Sequence, residues 1–107
     1  MKKEIIIDLH GVATESDILA KFAAALNIQD KYLLPKNWNA LEDDISCLSF
    51  PNETEIDEVL VILLGVNDVI NNISEEIYLL MISVLAADTD PAQRGDKINF
   101  LFQVRLE

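Results

Sequence analysis

Asn37-Trp38-Asn39-Ala40-Leu41-Glu42-Asp43-Asp44-Ile45-Ser46-Cys47-Leu48 is the stretch that organises the chain. It reads as a short helix. At about 100° per residue, Trp38, Leu41, Ile45 and Leu48 share one side, whereas Asn39, Asp43, Ser46 and Cys47 share the other. One side is built to pack and the other to be displayed. Asn37 suits the N-cap, where its side-chain oxygen can accept a bond from an amide of the first turn. Asp43 then stands in the middle of the outward face.

Working toward the N-terminus, Lys31, Pro35 and Lys36 mark a polar loop. Before it, Ile18, Leu19, Phe22, Ala25 and Leu26 recur at helical spacing, and Thr14-Glu15-Ser16-Asp17 has the spacing of a capping box, which predicts a helix from Ser16 to about Asn27. Glu4 to Leu9 is rich in β-formers. Its three consecutive isoleucines predict a strand buried on both faces, as in a parallel sheet with helices above and below. Toward the C-terminus, Ser49 to Glu58 is a connection, Val59 to Leu64 a second strand ended by Gly65, and Val66 to Asn72 a short helical turn. Ser74-Glu75-Glu76 opens a helix whose acids suit the positive end of its dipole, running to about Ala87. Asp88 to Asp96, with Pro91 and Gly95, breaks it, and Lys97 to Arg105 closes the chain as a strand.

The order β-α-α-β-α-α-β, with helical crossovers between strands, predicts an α/β fold: a three-stranded parallel sheet packed by helices. At 107 residues and 50% hydrophobic, the chain is the size of a single domain, 1–107, with room for a core that needs neither staples nor metal. Lys2 and Lys3 are followed by an acid and a brief isoleucine run, which is too short for a secretory core segment. The apolar run Val59 to Val66 falls far short of the ~20 residues of a membrane span. With Cys47 the single cysteine, no internal disulfide is possible. A cytoplasmic protein that does not bind membranes is the expectation.

Nineteen acids against eight basic residues give a net charge of −11. The distribution matters more. No Lys or Arg lies between Lys36 and Arg94, while 12 of the 19 acids do. This one-signed block begins on the displayed helix, so its field attracts a cationic partner and repels nucleic acid. Charge kept for solubility would look similar.

The motif Asn37-Trp38-Asn39-Ala40-Leu41-x-Asp43, preceded by Tyr32, resembles the second helix of barstar-like ribonuclease inhibitors, whose pattern there is Asn-(Trp/Leu)-Asp-Ala-Leu-x-Asp-Cys-Leu. Ile5-Ile6-Ile7-Asp8 followed by Ser16 to Phe22 is similar to the family's opening strand and first helix. The resemblance implies the barstar-like fold and an inhibitor rather than an enzyme. It also implies a basic ribonuclease toxin as partner in a 1:1 complex, and an interface drawn from Tyr32, Asn39, Glu42, Asp43, Ser46 and Cys47, with no cofactor or metal. A ribonuclease gathers Arg, Lys and His around phosphate, so a carboxylate offered in its place can block the site. Asp43 is the expected anchor. Asn39 stands where the family commonly has Asp, Glu42 where an aromatic is frequent, Asp44 where Cys is usual and Pro35 where Gly commonly sits. The helix near Val84 also lacks an acid that would reach the partner. These departures point to a nuclease distinct from the usual one.

Other constellations are poorer in chemistry. Glu42, Asp43 and Asp44 fan over about 200° of helix and cannot converge on one metal ion. His10 beside Asp8, at the carboxyl end of the first strand, has the makings of a general base, but no Ser or Cys nucleophile is recognisably paired with it. Gly11 lacks the partner glycines of a phosphate loop. Nothing nearby is positively charged to activate Cys47. Three functions follow: a toxin-neutralising ribonuclease inhibitor, an acidic module of the same fold that binds another basic protein or itself, and a small hydrolase using Asp8 and His10.

Overall fold

A computed structural model of the chain describes residues 2–26, 37–46, 56–87 and 99–105, with the side chains of Asp44 and Ser46 outside that description. Seven elements follow in order: β1 (Lys2–Asp8), α1 (Glu15–Ala25), α2 (Trp38–Ser46), β2 (Glu58–Leu64), α3 (Val66–Asn72), α4 (Glu75–Ala87) and β3 (Asn99–Val104). The strands form one parallel sheet in the order β1-β2-β3. This is the architecture expected from the pattern of the sequence, including the short α3. The anticipated breaker segment Asp88 to Asp96 lies outside the described residues, as does most of the connection from Ser49.

The helix starts follow from local chemistry. Thr14 Oγ1 accepts the Asp17 N–H at 3.1 Å, and Asp17 Oδ2 accepts from the N–H groups of Ala13 at 2.9 Å and Thr14 at 3.2 Å. The reciprocal box satisfies amides that the first turn leaves without helical partners. It starts α1 at Glu15, one residue before the sequence reading. Ser74 caps α4 one way, its Oγ accepting from Ile77 N–H at 3.1 Å.

The core lies on one side of the sheet. Ile5 and Ile7 of β1, Val59, Val61 and Leu63 of β2, and Phe100 of β3 are joined in one buried cluster with Ile18 and Phe22 of α1, Trp38, Leu41 and Ile45 of α2, Val69 of α3, and Met81 and Leu85 of α4. The expectation that β1 is buried on both faces is therefore wrong. Ile6 is 58% exposed between buried Ile5 and Ile7. β1 is an edge strand, and three isoleucines in a row satisfied its β-propensity without both faces being covered. The both-sides pattern fits central β2 better: Val59, Val61, Ile62 and Leu63 are all buried.

The carboxyl ends of β1 and β2 are locked together by one close approach. Gly65, between β2 and α3, has φ +72°, and a Cβ there would lie 2.5 Å from the His10 backbone nitrogen. Asp68 Oδ2 accepts the Gly11 N–H at 2.7 Å, and Asn72 Nδ2 donates to the Val12 carbonyl at 3.0 Å. The loop after β1, which launches α1, is thus clasped to α3.

Candidate functional site

α2 is a helix of 9 residues, short enough that it depends on packing rather than on its own propensity. Trp38, Leu41 and Ile45 supply that packing; Leu41 and Ile45 are fully buried. Asn37 caps it as expected, with Oδ1 accepting the Ala40 N–H at 2.8 Å and the main-chain carbonyl accepting from Leu41 at 3.1 Å. α2 also rests on α4. Three buried side chains, the cap and the packing on α4 hold it in position.

The opposite face is open. Asn39 and Asp43, four residues apart and so one above the other, are both exposed. Glu42 is half-buried at the margin, turned toward the Trp38 side. Of the six residues singled out from the sequence, the structure thus brings Asn39 and Asp43 together and sets Glu42 at their edge. Tyr32 and Cys47 lie outside the described residues, as does the side chain of Ser46, the last residue of α2.

Glu15 is the residue at this site that escaped the sequence reading. Trp38 is only 9% exposed, and its indole Nε1–H points to Glu15 Oε1 at 3.5 Å, a long contact from the first turn of α1. A buried indole N–H ordinarily finds an acceptor. The sequence reading took Trp38 as a packing residue and named no partner for its N–H. Glu15 brings another carboxylate to the end of the molecule where α2 begins.

The Asp8–His10 pair also has a defined geometry. His10 Nδ1 lies 2.6 Å from Asp8 Oδ1, which also accepts the His10 backbone N–H at 3.0 Å. That backbone bond first, and then the imidazole, hold the Asp8 carboxyl below its ordinary range. The adjoining shallow cleft, about 360 Å³, is lined by His10, Gly11, Val12, Asp17, Ala20 and Lys21. None of these carries a hydroxyl or thiol, and the Asp17 carboxylate is already engaged in the α1 cap. The N–H of Ala13, ahead of that of Thr14, holds the Asp17 carboxyl below its usual range. Among the described residues no group of three or more His, Cys, Asp or Glu could hold a metal ion, and no helix is long and apolar enough to cross a membrane.

The profile of the family described as Barstar (barnase inhibitor) matches residues 2–105, nearly the whole chain. The chain belongs to the barstar family. No curated protein and no solved structure matches it. Barstar proteins are inhibitors that bind a ribonuclease, not enzymes, and the sheet of three parallel strands with four helices is a barstar-like fold. Membership extends the likeness over the second half of the chain, where the sequence offered only the order of elements.

Proposed function

We propose that this barstar-family chain is the immunity protein of a cognate basic ribonuclease toxin. It binds one to one in the toxin's active site, within the cytoplasm of the cell that makes both. The exposed face of α2 enters the cleft, with Asp43 at its centre and Asn39 beside it. Glu42 flanks them, and Tyr32, Ser46 and Cys47 complete the contact. The Asp43 carboxylate occupies the position of a substrate phosphate, against the Arg, Lys and His groups that would hold it.

The observation that carries this reading is the exposure of Asp43 on a helix whose other side is anchored by buried Leu41 and Ile45. A charge displayed by a rigid element meets its partner with little ordering cost. The surroundings agree with it. α2, α3 and α4 contain no basic residue, so the field over them has one sign and accelerates encounter with a basic protein.

The test is Asp43→Ala, measured by calorimetry and by ribonuclease inhibition against the ribonuclease that co-purifies with the chain. Truncating one member of a desolvated charge pair costs ~2–5 kcal/mol, so affinity should fall at least ~30-fold while the melting temperature stays unchanged. Equal affinity for parent and variant would remove Asp43 as the anchor. Recovery of a basic protein without ribonuclease activity as the co-purifying partner would instead favour an acidic interaction module of this fold.

A further inference from the structure

Trp38 opens α2 and Glu15 opens α1. The two first turns, 23 residues apart in the chain, meet where the Trp38 Nε1–H points to Glu15 Oε1. Burial has withdrawn that N–H from most of the water that would otherwise satisfy it. The contact is long, 3.5 Å, but its acceptor is charged, and a carboxylate holds an N–H more strongly than a neutral oxygen does.

Glu15 is itself firmly based. Thr14, the residue before it, is the N-cap of α1, and its N–H is held by the Asp17 carboxylate at 3.2 Å. The loop ahead of Thr14 is tied to α3 by the Asp68 bond to Gly11 and the Asn72 bond to Val12. The Glu15 carboxylate also lies in the first turn of α1, at the positive end of the dipole, where negative charge is favoured.

What this acceptor adds to α2 is direction. Leu41 and Ile45 lie one turn apart on a single stripe, and apolar burial fixes no orientation about that stripe. A hydrogen bond does, because it weakens steeply away from a straight line. Roll matters on the outward side. A carboxylate about 6 Å from the helix axis moves about 1 Å for every ~10° of roll, more than the ~0.5 Å range of good hydrogen bonds.

We propose that Glu15 is a positioning residue: through the indole of Trp38 it sets the roll of α2 and so aims Asp43 and Asn39. The aiming rests on the reading of α2 as the ribonuclease-binding face, whereas the hold on α2 does not.

Trp38 is the single tryptophan, so its fluorescence reads the contact in the free chain. Glu15→Ala should shift that emission and quicken amide exchange in the first turn of α2. Calorimetry should show binding of the co-purifying ribonuclease weakened about threefold to tenfold, the worth of one hydrogen bond. Glu15→Gln keeps an oxygen that accepts the N–H and should stay near the parent in all three measurements. Glu4→Ala removes an equal charge from an exposed position on β1 and should change none of them. In a Trp38→Phe background, which has no N–H to hold, Glu15→Ala should cost no further affinity.

Parent-like emission and exchange in Glu15→Ala overturn the proposal. Full affinity in Glu15→Ala beside a weakened Asp43→Ala overturns it too. A binding loss as large in Glu15→Gln as in Glu15→Ala does the same, since the charge would then meet the ribonuclease directly, and so does a loss that persists in full on Trp38→Phe. If Asp43→Ala binds like the parent while emission and exchange still respond to Glu15→Ala, the hold on α2 stands and the anchor reading fails.

Discussion

Gly65→Ala should be among the most damaging small changes in this chain, and Gly11→Ala separates the reasons. Both glycines have positive φ, +72° and +83°. An alanine in that region costs ~1–2 kcal/mol, because Cβ crowds the following carbonyl. At Gly11 that is the whole cost, since a Cβ there meets nothing within 4 Å. At Gly65 the same Cβ would sit 2.5 Å from His10 N, 2.8 Å from His10 Cγ and 2.9 Å from His10 Cα. Two of these are main-chain atoms, in a loop held to α3 by the 2.7 Å Asp68 bond and the 3.0 Å Asn72 bond, so it cannot yield without straining both. Overpacking of this kind costs ~1–3 kcal/mol, which brings Gly65→Ala to ~2–5 kcal/mol against a total stability of ~5–15. Urea unfolding of the three proteins gives the answer, with the midpoint falling at constant slope. If the two alanine variants lose equal stability, the close approach of Gly65 to His10 is not the constraint described, and the clasp between the β1 loop and α3 is looser than its hydrogen bonds indicate.

Leu41→Ala removes a fully buried anchor of α2 and should cost ~2–5 kcal/mol by urea unfolding; a loss under ~1 kcal/mol would mean that α2 is not held by its inward side. Asn37→Ala strips the cap and should cost ~1 kcal/mol. Amide exchange in the first turn of α2, the Ala40 N–H above all, should quicken with it, and unchanged protection there would count against the cap. Asp17 makes stability depend on acid. Its folded pKa lies below 3.8, so its contribution is complete above the unfolded value and fades as pH falls through the folded one. The melting temperatures of the parent and Asp17→Ala should therefore differ at neutral pH and converge in strong acid. A gap that does not change with pH would contradict the ionic cap.

The architecture was legible because several signals agreed. The Thr14 and Asn37 caps, the helical spacing of Ile18 to Leu26 and the β-rich runs each named their element, and together they left few topologies. The inward side of α2 followed from the same periodicity. The number of covered sheet faces was not legible, because Ile5-Ile6-Ile7 has the same composition whether a strand lies at an edge or in the centre; only pairing distinguishes the two, and β1 has one neighbour. The Trp38–Glu15 contact and the Asp68–Gly11 bond span 23 and 57 residues, and nothing local announces a partner at that distance. The outward face of α2 was visible as a face. Half-buried Glu42 shows how residues at the boundary of a helical stripe depend on neighbours that the stripe itself does not name.

The division of labour along α2 bears on how such a protein can change. Its hold on the core comes from buried Trp38, Leu41 and Ile45, whereas Asn39 and Asp43 lie exposed on the other side. Substitutions on the outward side therefore leave folding nearly untouched, and each can be tried without unseating the helix. Should an adversary's cleft alter its charges, a lineage carrying this scaffold could follow by single steps, every intermediate still a well-formed molecule.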